Sequence, residues 1–152
     1  VDFLLSVDDI GDRYEILRFP GKWDIFVKNM EIIKQLKYRV IAYNCLSSLN
    51  IFYCVDFYKW AIRNFGNEVH SQMVTDRTML DISYLPQRAK DVVLEKIKNH
   101  KGKTFNGIRE KLNVQNDDHS QALLEYVKRL DQIRKTNYPD TFREWYTILN
   151  TK

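Results

Sequence analysis

The sequence predicts an α/β fold of parallel strands, the later half of a larger barrel or open sheet, followed by a helical tail. Three observations predict it. Short apolar runs and helical stripes alternate along the first two thirds of the chain in the order strand, helix, strand, helix, strand, helix. Strand starts lie roughly 30–35 residues apart, the length of a βαβ unit, which calls for parallel strands joined by right-handed crossovers. Beyond residue 99 the pattern is helical throughout. The expected division is therefore 1–99 for the strand-bearing part and 100–152 for a helical extension.

Each element has its own signal. Residues 3–7, FLLSV, form an apolar run that ends at Asp8 and Asp9 and reads as a buried strand. The stretch 9–21 contains Gly11, Pro20 and Gly21 and reads as a long loop with a helical turn near Tyr14 and Leu17. Over 22–37, Trp23, Phe26, Val27, Met30, Ile33 and Leu36 recur mostly at steps of three and four, the stripe of an amphipathic helix. YRVIAYNC at 38–45 is the second strand. A helix over 54–65 carries Val55, Tyr58, Ile62 and Phe65 on one face and stops at Gly66. VHSQMV at 69–74 is a third, weaker strand, and MLDIS after it is a short extended piece.

Pro86 opens a helix over 86–99, where its missing amide hydrogen costs nothing, and Ala89, Val93, Leu94 and Ile97 form the apolar set. In the tail, Phe105, Ile108 and Leu112 mark a short helix. Asp117 or Asp118 caps a long one over 119–134 that turns Leu123, Tyr126, Val127, Leu130 and Ile133 inward. Asn137 and Asp140 form a capping arrangement for a last helix, with Phe142, Trp145, Tyr146 and Leu149 on its buried side.

Composition narrows the class. The chain has 152 residues, 44% hydrophobic and 29% charged, with few Gly and Pro, as expected of one folded domain rather than a disordered segment. A net charge of +4, spread along helices among Asp and Glu, permits nucleic-acid binding without indicating it. No run approaches the length of a membrane span. Cys45 and Cys54 make neither a disulfide framework nor a metal motif. They read as free thiols of a reducing compartment, which gives a cytoplasmic expectation. The chain opens at Val1 directly on an apolar run, and three parallel strands with a free leading edge need a cover. Both features give the expectation of a piece of a longer protein.

In parallel α/β folds chemistry collects at the carboxyl ends of the strands. The residues there are Ser6, Asp8 and Asp9 after the first strand, then Asn44, Ser47, Ser48 and Asn50 after the second. Thr75, Asp76 and Arg77 follow the third, and Arg18 and Lys22 come from the first long loop. This short-chained polar set suits hydrogen bonding to a ribose, an amine or a carboxylate. It equally suits plain loop and cap duty. His70, His100 and His119 lie far apart, and no HExxH, GxGxxG or Walker A pattern occurs.

The segment FLLSVDDIGDRYEILRFPGKWDIFVKNMEIIKQL resembles the middle of radical S-adenosylmethionine proteins, through Ser6-Val7-Asp8 at a strand end and then Gly11, Tyr14, Arg18, Pro20, Gly21, Trp23 and Asn29. YNCLSSLNIFYCVDFYKW is similar to the next repeat of that family, through Ser47 or Ser48, Leu49, Asn50, Phe57 and Trp60. RLDQIRKTNYPDTFREW is similar to the closing helices of members with a twitch-like extension. The resemblance implies the later half of a partial (β/α) barrel. It further implies a parent enzyme that uses S-adenosylmethionine and a 4Fe-4S cluster, and a missing N-terminal barrel half as partner. The cluster motif CxxxCxxC is absent, so no metal ligand falls on this chain, and it is expected to be inactive alone. Ser6, Asp8, Arg18 and Asn50 are the implied cofactor contacts, and Arg77 and Asp81 the substrate-side residues. The structural alternatives are a strand-end cap for Ser6 and Asp8, and a salt bridge to Asp12 or Glu15 for Arg18. Two other functions compete with the enzyme fragment: a catalytically empty α/β scaffold or interaction module, and a nucleic-acid-binding module.

Overall fold

The structure, a computed structural model, describes residues 2–151. Three strands form one parallel sheet in the order β1 (Asp2–Ser6), β2 (Arg39–Leu46), β3 (Val69–Met73). Between β1 and β2 run α1 (Asp12–Leu17) and α2 (Trp23–Gln35), and between β2 and β3 runs α3 (Cys54–Phe65). Five helices follow: α4 (Gln87–Ile97), α5 (Lys103–Leu112), α6 (Ser120–Arg134), α7 (Tyr138–Thr141) and α8 (Arg143–Asn150).

The register places Leu4 beside Ile41, Ser6 beside Tyr43, and Tyr43 beside His70. Side chains alternate across a strand, so the sheet has two unlike faces. Leu5, Val7, Val40, Ala42 and Val69 pack into a core with Phe26, Val27 and Met30 of α2 and Phe57, Ala61 and Phe65 of α3. A cluster of aromatic rings, Tyr14, Trp23, Phe26 and Trp60, closes the outer side of this core. The opposite face carries Leu4, Ser6, Ile41, Tyr43, His70 and Gln72. The helices that cover the sheet most extensively are α2 and α3, both on the first face, while α5 reaches Met73 at the edge of β3. Two parallel crossovers that step the same way along the sheet, each with the usual right-handed sense, deliver their helices to the same side.

A second and larger core lies past the carboxyl ends of the strands. It joins Leu46, Leu49, Ile51 and Phe52 to α4, α5, α6 and α8. The stripes Ala89-Val93-Ile97, Phe105-Ile108-Leu112 and Leu123-Val127 all enter it, as helical spacing predicts. Trp145 and Phe142 are fully buried there, whereas Tyr146 and Ile133 face outward. The core takes residues from both sides of position 100. MLDIS is not extended. It forms two single-turn 3₁₀ segments, Thr78–Leu80 and Ile82–Tyr84, because the Asp81 carboxylate accepts from the Ser83 main chain and hydroxyl and so caps the second turn.

The barrel expectation is overturned. In a barrel every strand pairs on both sides around the ring, but among the described residues β1 and β3 each pair only with β2, and the sheet is open. The sequence signal was the spacing of βαβ units, which open and closed parallel sheets share. The radical S-adenosylmethionine assignment falls with it. So do the parent enzyme, the iron–sulfur and TIM-barrel descriptions, and the missing barrel half as partner. Among the described residues no group of three or more His, Cys, Asp or Glu is placed to hold a metal ion. The mouth where a barrel would receive its cofactor is filled by the helical tail instead. The Trp145 indole donates to the Ser48 carbonyl at 2.7 Å, and the Tyr138 hydroxyl donates to the Leu49 carbonyl at 2.8 Å. Among the described residues no helix is long and apolar enough to cross a membrane.

Candidate functional site

The carboxyl edge of β1 and β2 holds the densest polar cluster. β1 continues its ladder one residue further, where the Val7 amide donates to the Tyr43 carbonyl. The chain then turns at Asp8. One carboxylate oxygen of Asp8 accepts from the Cys45 main chain at 2.8 Å, and the other lies 2.7 Å from Arg18 Nε. The Asp8 carbonyl accepts from the side-chain amides of Asn44 (2.9 Å) and Asn50 (2.8 Å). The Asn50 amide also donates to the Cys45 carbonyl, while its oxygen accepts from the Ser47 amide. Asn50 is almost fully buried, so each of these bonds replaces one to water.

Of the six sequence-predicted site residues, the structure brings together Asp8, Arg18 and Asn50. Ser6 stands exposed on the uncovered sheet face. Arg77 is exposed, and its carbonyl accepts from the Leu80 and Asp81 amides. Asp81 is buried against Lys111 at 2.8 Å. Burial alone would raise the Asp81 pKa. The Lys111 ammonium and the two Ser83 donors outweigh it and hold the carboxyl below its usual range. The Arg18 partner is Asp8, not Asp12 or Glu15; Glu15 binds Lys22 and the Trp23 amide instead. The clefts of about 370–920 Å³ on the surface are lined by other residues than Ser6, Asp8, Arg18 and Asn50. Neither thiol is activated. Burial raises the Cys45 pKa and pushes Cys54 up to about 12, away from the thiolate that nucleophilic chemistry needs.

One residue of this edge is electrostatically unusual. Asp9 is fully buried at the start of the loop after β1, with Arg13 Nε 3.0 Å from one oxygen and the Ile10 amide on the other. Arg13 in turn lies over the Tyr53 ring at 4.3 Å. Burial is the largest influence on Asp9 and, despite Arg13, raises its pKa to about 6; Asp56 adds to the rise. The Asp9–Arg13 pair has the i, i+4 spacing of a helical ion pair, a signal the sequence carries. The contacts of Tyr138 and Trp145 with the 47–50 loop span 89 and 97 residues, and no local pattern points to them.

A folded pKa above the unfolded one means that Asp9 favours the folded state fully below its unfolded pKa, and that this contribution is lost as pH rises through about 6. The chain is therefore expected to be more stable at pH 5 than at pH 7 by about 1 kcal/mol from this group. Urea unfolding of the wild type and of Asp9→Asn at both values checks it. The variant should lose that increment, and an unaltered pH dependence would contradict the burial argument.

Fold and site together define an open-sheet α/β domain whose strand ends are tied by their own side chains. No family model matches the chain, and no curated protein or solved structure matches it.

Proposed function

We propose that this domain is a protein-interaction module and that its docking surface is the uncovered face of the sheet. The observation that carries the reading is the one-sided cover. Parallel sheets are almost always covered on both faces, and here α2 and α3 lie on one side only. On the other side Leu4 is 66% exposed, while Ile41 on the middle strand is buried yet belongs to neither core. Leu4, Ile41 and Tyr43 form an apolar centre, with Ser6, His70 and Gln72 beside it and Asp2 and Arg39 at one end, the apolar-centre and polar-rim pattern of protein interfaces. The occupant that fits is an amphipathic helix with a neutral apolar stripe, the same kind of element that covers the first face. Nucleic acid fits poorly, since Arg39 is already paired with Glu68 and Asp2. The polar edge supports this reading too: Asp8, Arg18, Asn44 and Asn50 bind one another and the main chain, which is the work of a scaffold.

The test is site-specific photocrosslinking in the native host, with a benzophenone side chain at Leu4, at Gln72, or at Ile25 on the outer side of α2. One discrete protein adduct shared by Leu4 and Gln72 and missing from Ile25, mapped by mass spectrometry to an apolar-striped helix, is expected. Equal labelling from Ile25, or no protein adduct, would overturn the reading. A homodimer adduct would replace the partner with a second copy of this chain.

A further inference from the structure

A second surface of different chemistry lies at the far edge of the sheet and meets the uncovered face at Tyr43 and His70. Among the described residues β3 has a strand neighbour on one side only. The Val74 amide donates to the Leu46 carbonyl, and the Ala42 amide donates to the Glu68 carbonyl. By the alternation of a parallel ladder, Glu68, His70, Gln72 and Val74 turn their main chain toward β2. Val69, Ser71 and Met73 turn theirs outward. Such a row of donors and acceptors is a template for another strand unless charge, proline or a covering element blunts it. VHSQM contains no Lys, Arg or Pro.

Among the described residues no helix runs along the length of this edge; α5 meets it at Met73 and stands beside the rest across a cleft of about 920 Å³. The cleft wraps β3: its walls include Val69, Ser71 and Met73 from the strand and Lys103, Asn106, Gly107 and Glu110 from α5. Those α5 positions follow helical spacing along one face. The apolar face of α5, with Phe105, Ile108 and Leu112, is buried elsewhere in the larger core. So α5 offers the cleft a polar stripe, not a plug. At its centre Gly107 lets α5 come up against the strand's side chain, since a Cβ there would lie 3.0 Å from Met73 Cε. Lys103 and Glu110, two turns apart, put opposite charges at the two ends of that stripe.

We infer that the β3–α5 cleft is a strand-addition site for an extended peptide segment of a protein partner. The peptide main chain completes the ladder at Val69, Ser71 and Met73. Its side chains lie alternately toward the Met73 floor and toward solvent. An acidic residue near one end and a basic residue near the other complement Lys103 and Glu110. A helix cannot replace such a ligand, because its amides and carbonyls are satisfied internally and leave the strand's outward row unpaired.

The probes are two synthetic peptides, acetyl-Glu-Thr-Val-Thr-Val-Lys-amide and its reverse sequence, titrated into the ¹⁵N-labelled chain. Saturable shifts of the Val69, Ser71 and Met73 amides are expected with at least one of them. Two controls address the main chain itself. Methylating alternate peptide nitrogens keeps every side chain and should weaken binding at least tenfold in one of the two possible patterns. Ser71→Pro removes an outward amide and no bond to β2, a substitution that edge strands tolerate, and should weaken binding by a similar factor. If Ser71→Pro unfolds the chain, the methylated peptides still decide. No shifts at millimolar peptide, or binding indifferent to both methylation patterns, would overturn the site. Shifts confined to Leu4 and Ile41 would overturn it while leaving the uncovered face as the docking surface.

Discussion

Replacing Trp145 by Ala is expected to cost about 3–5 kcal/mol, the range for truncating a fully buried aromatic side chain. The indole is completely buried, packs edge-on to Tyr138 with ring centres 4.9 Å apart, and donates to the Ser48 carbonyl. Tyr138 stacks in turn on Phe142 at 4.0 Å. Removing Trp145 therefore leaves both a void in this aromatic stack and a carbonyl without its donor. For a chain of this length the loss corresponds to a fall in Tm of about 10 °C or more. Trp145→Phe fills most of the void but not the hydrogen bond, and should cost only about 1–3 kcal/mol. Calorimetric melting of the two variants checks the pair. A loss below about 1 kcal/mol for Trp145→Ala would mean that the tail does not hold the 47–50 loop.

Asn50→Ala is expected to be nearly as damaging, although the residue is polar and sits in a loop. Its side chain satisfies the Asp8 carbonyl, the Cys45 carbonyl and the Ser47 amide at once. Truncation leaves these groups short of partners in a buried place, at about 1–3 kcal/mol for each one orphaned. The Asn44 amide still reaches the Asp8 carbonyl and tempers the sum, so roughly 3 kcal/mol is the expected total. Asn50→Asp should be no better. A carboxylate can still accept from Ser47, but it faces two carbonyl oxygens with nothing to donate. Chemical unfolding distinguishes this tying role from a ligand-contact role: a residue kept for a ligand would be replaceable with little change in stability.

These two residues also mark what a sequence can and cannot disclose here. The three strands, the two covering helices and most of the tail were legible because their apolar spacing is local, although α3 buries Cys54, Phe57, Ala61 and Phe65 where Val55, Tyr58, Ile62 and Phe65 were expected. Val93, Ile108 and Leu123 are buried where helical periodicity puts them. The polar strand ends were legible as a group for the same reason, since Asp8, Asn44 and Asn50 all follow apolar runs. Their use was not. Which groups these side chains meet depends on distant parts of the chain, and Tyr138 and Trp145 close over the 47–50 loop from far along it. Sheet closure was equally hidden. An open sheet and a barrel share the same βαβ spacing, and the difference lies in whether the outer strands find partners. MLDIS shows a smaller version of the same limit. Its apolar content reads as extended, but Asp81 caps a turn and receives Lys111 from a helix far along the chain.

The uncovered face sets the central test, because Leu4 contributes to neither core of this chain. Leu4→Glu should leave the Tm of the isolated domain unchanged to within about 2 °C, the scale of a surface substitution of at most ~0.5 kcal/mol. In the same variant the protein adduct formed from a crosslinker at Gln72 should disappear, because a charge now occupies the apolar centre of the docking surface. A large drop in Tm would show that the face is packed within the domain. An adduct that survives Leu4→Glu at full yield would show that the partner does not bind there, and either result contradicts the account.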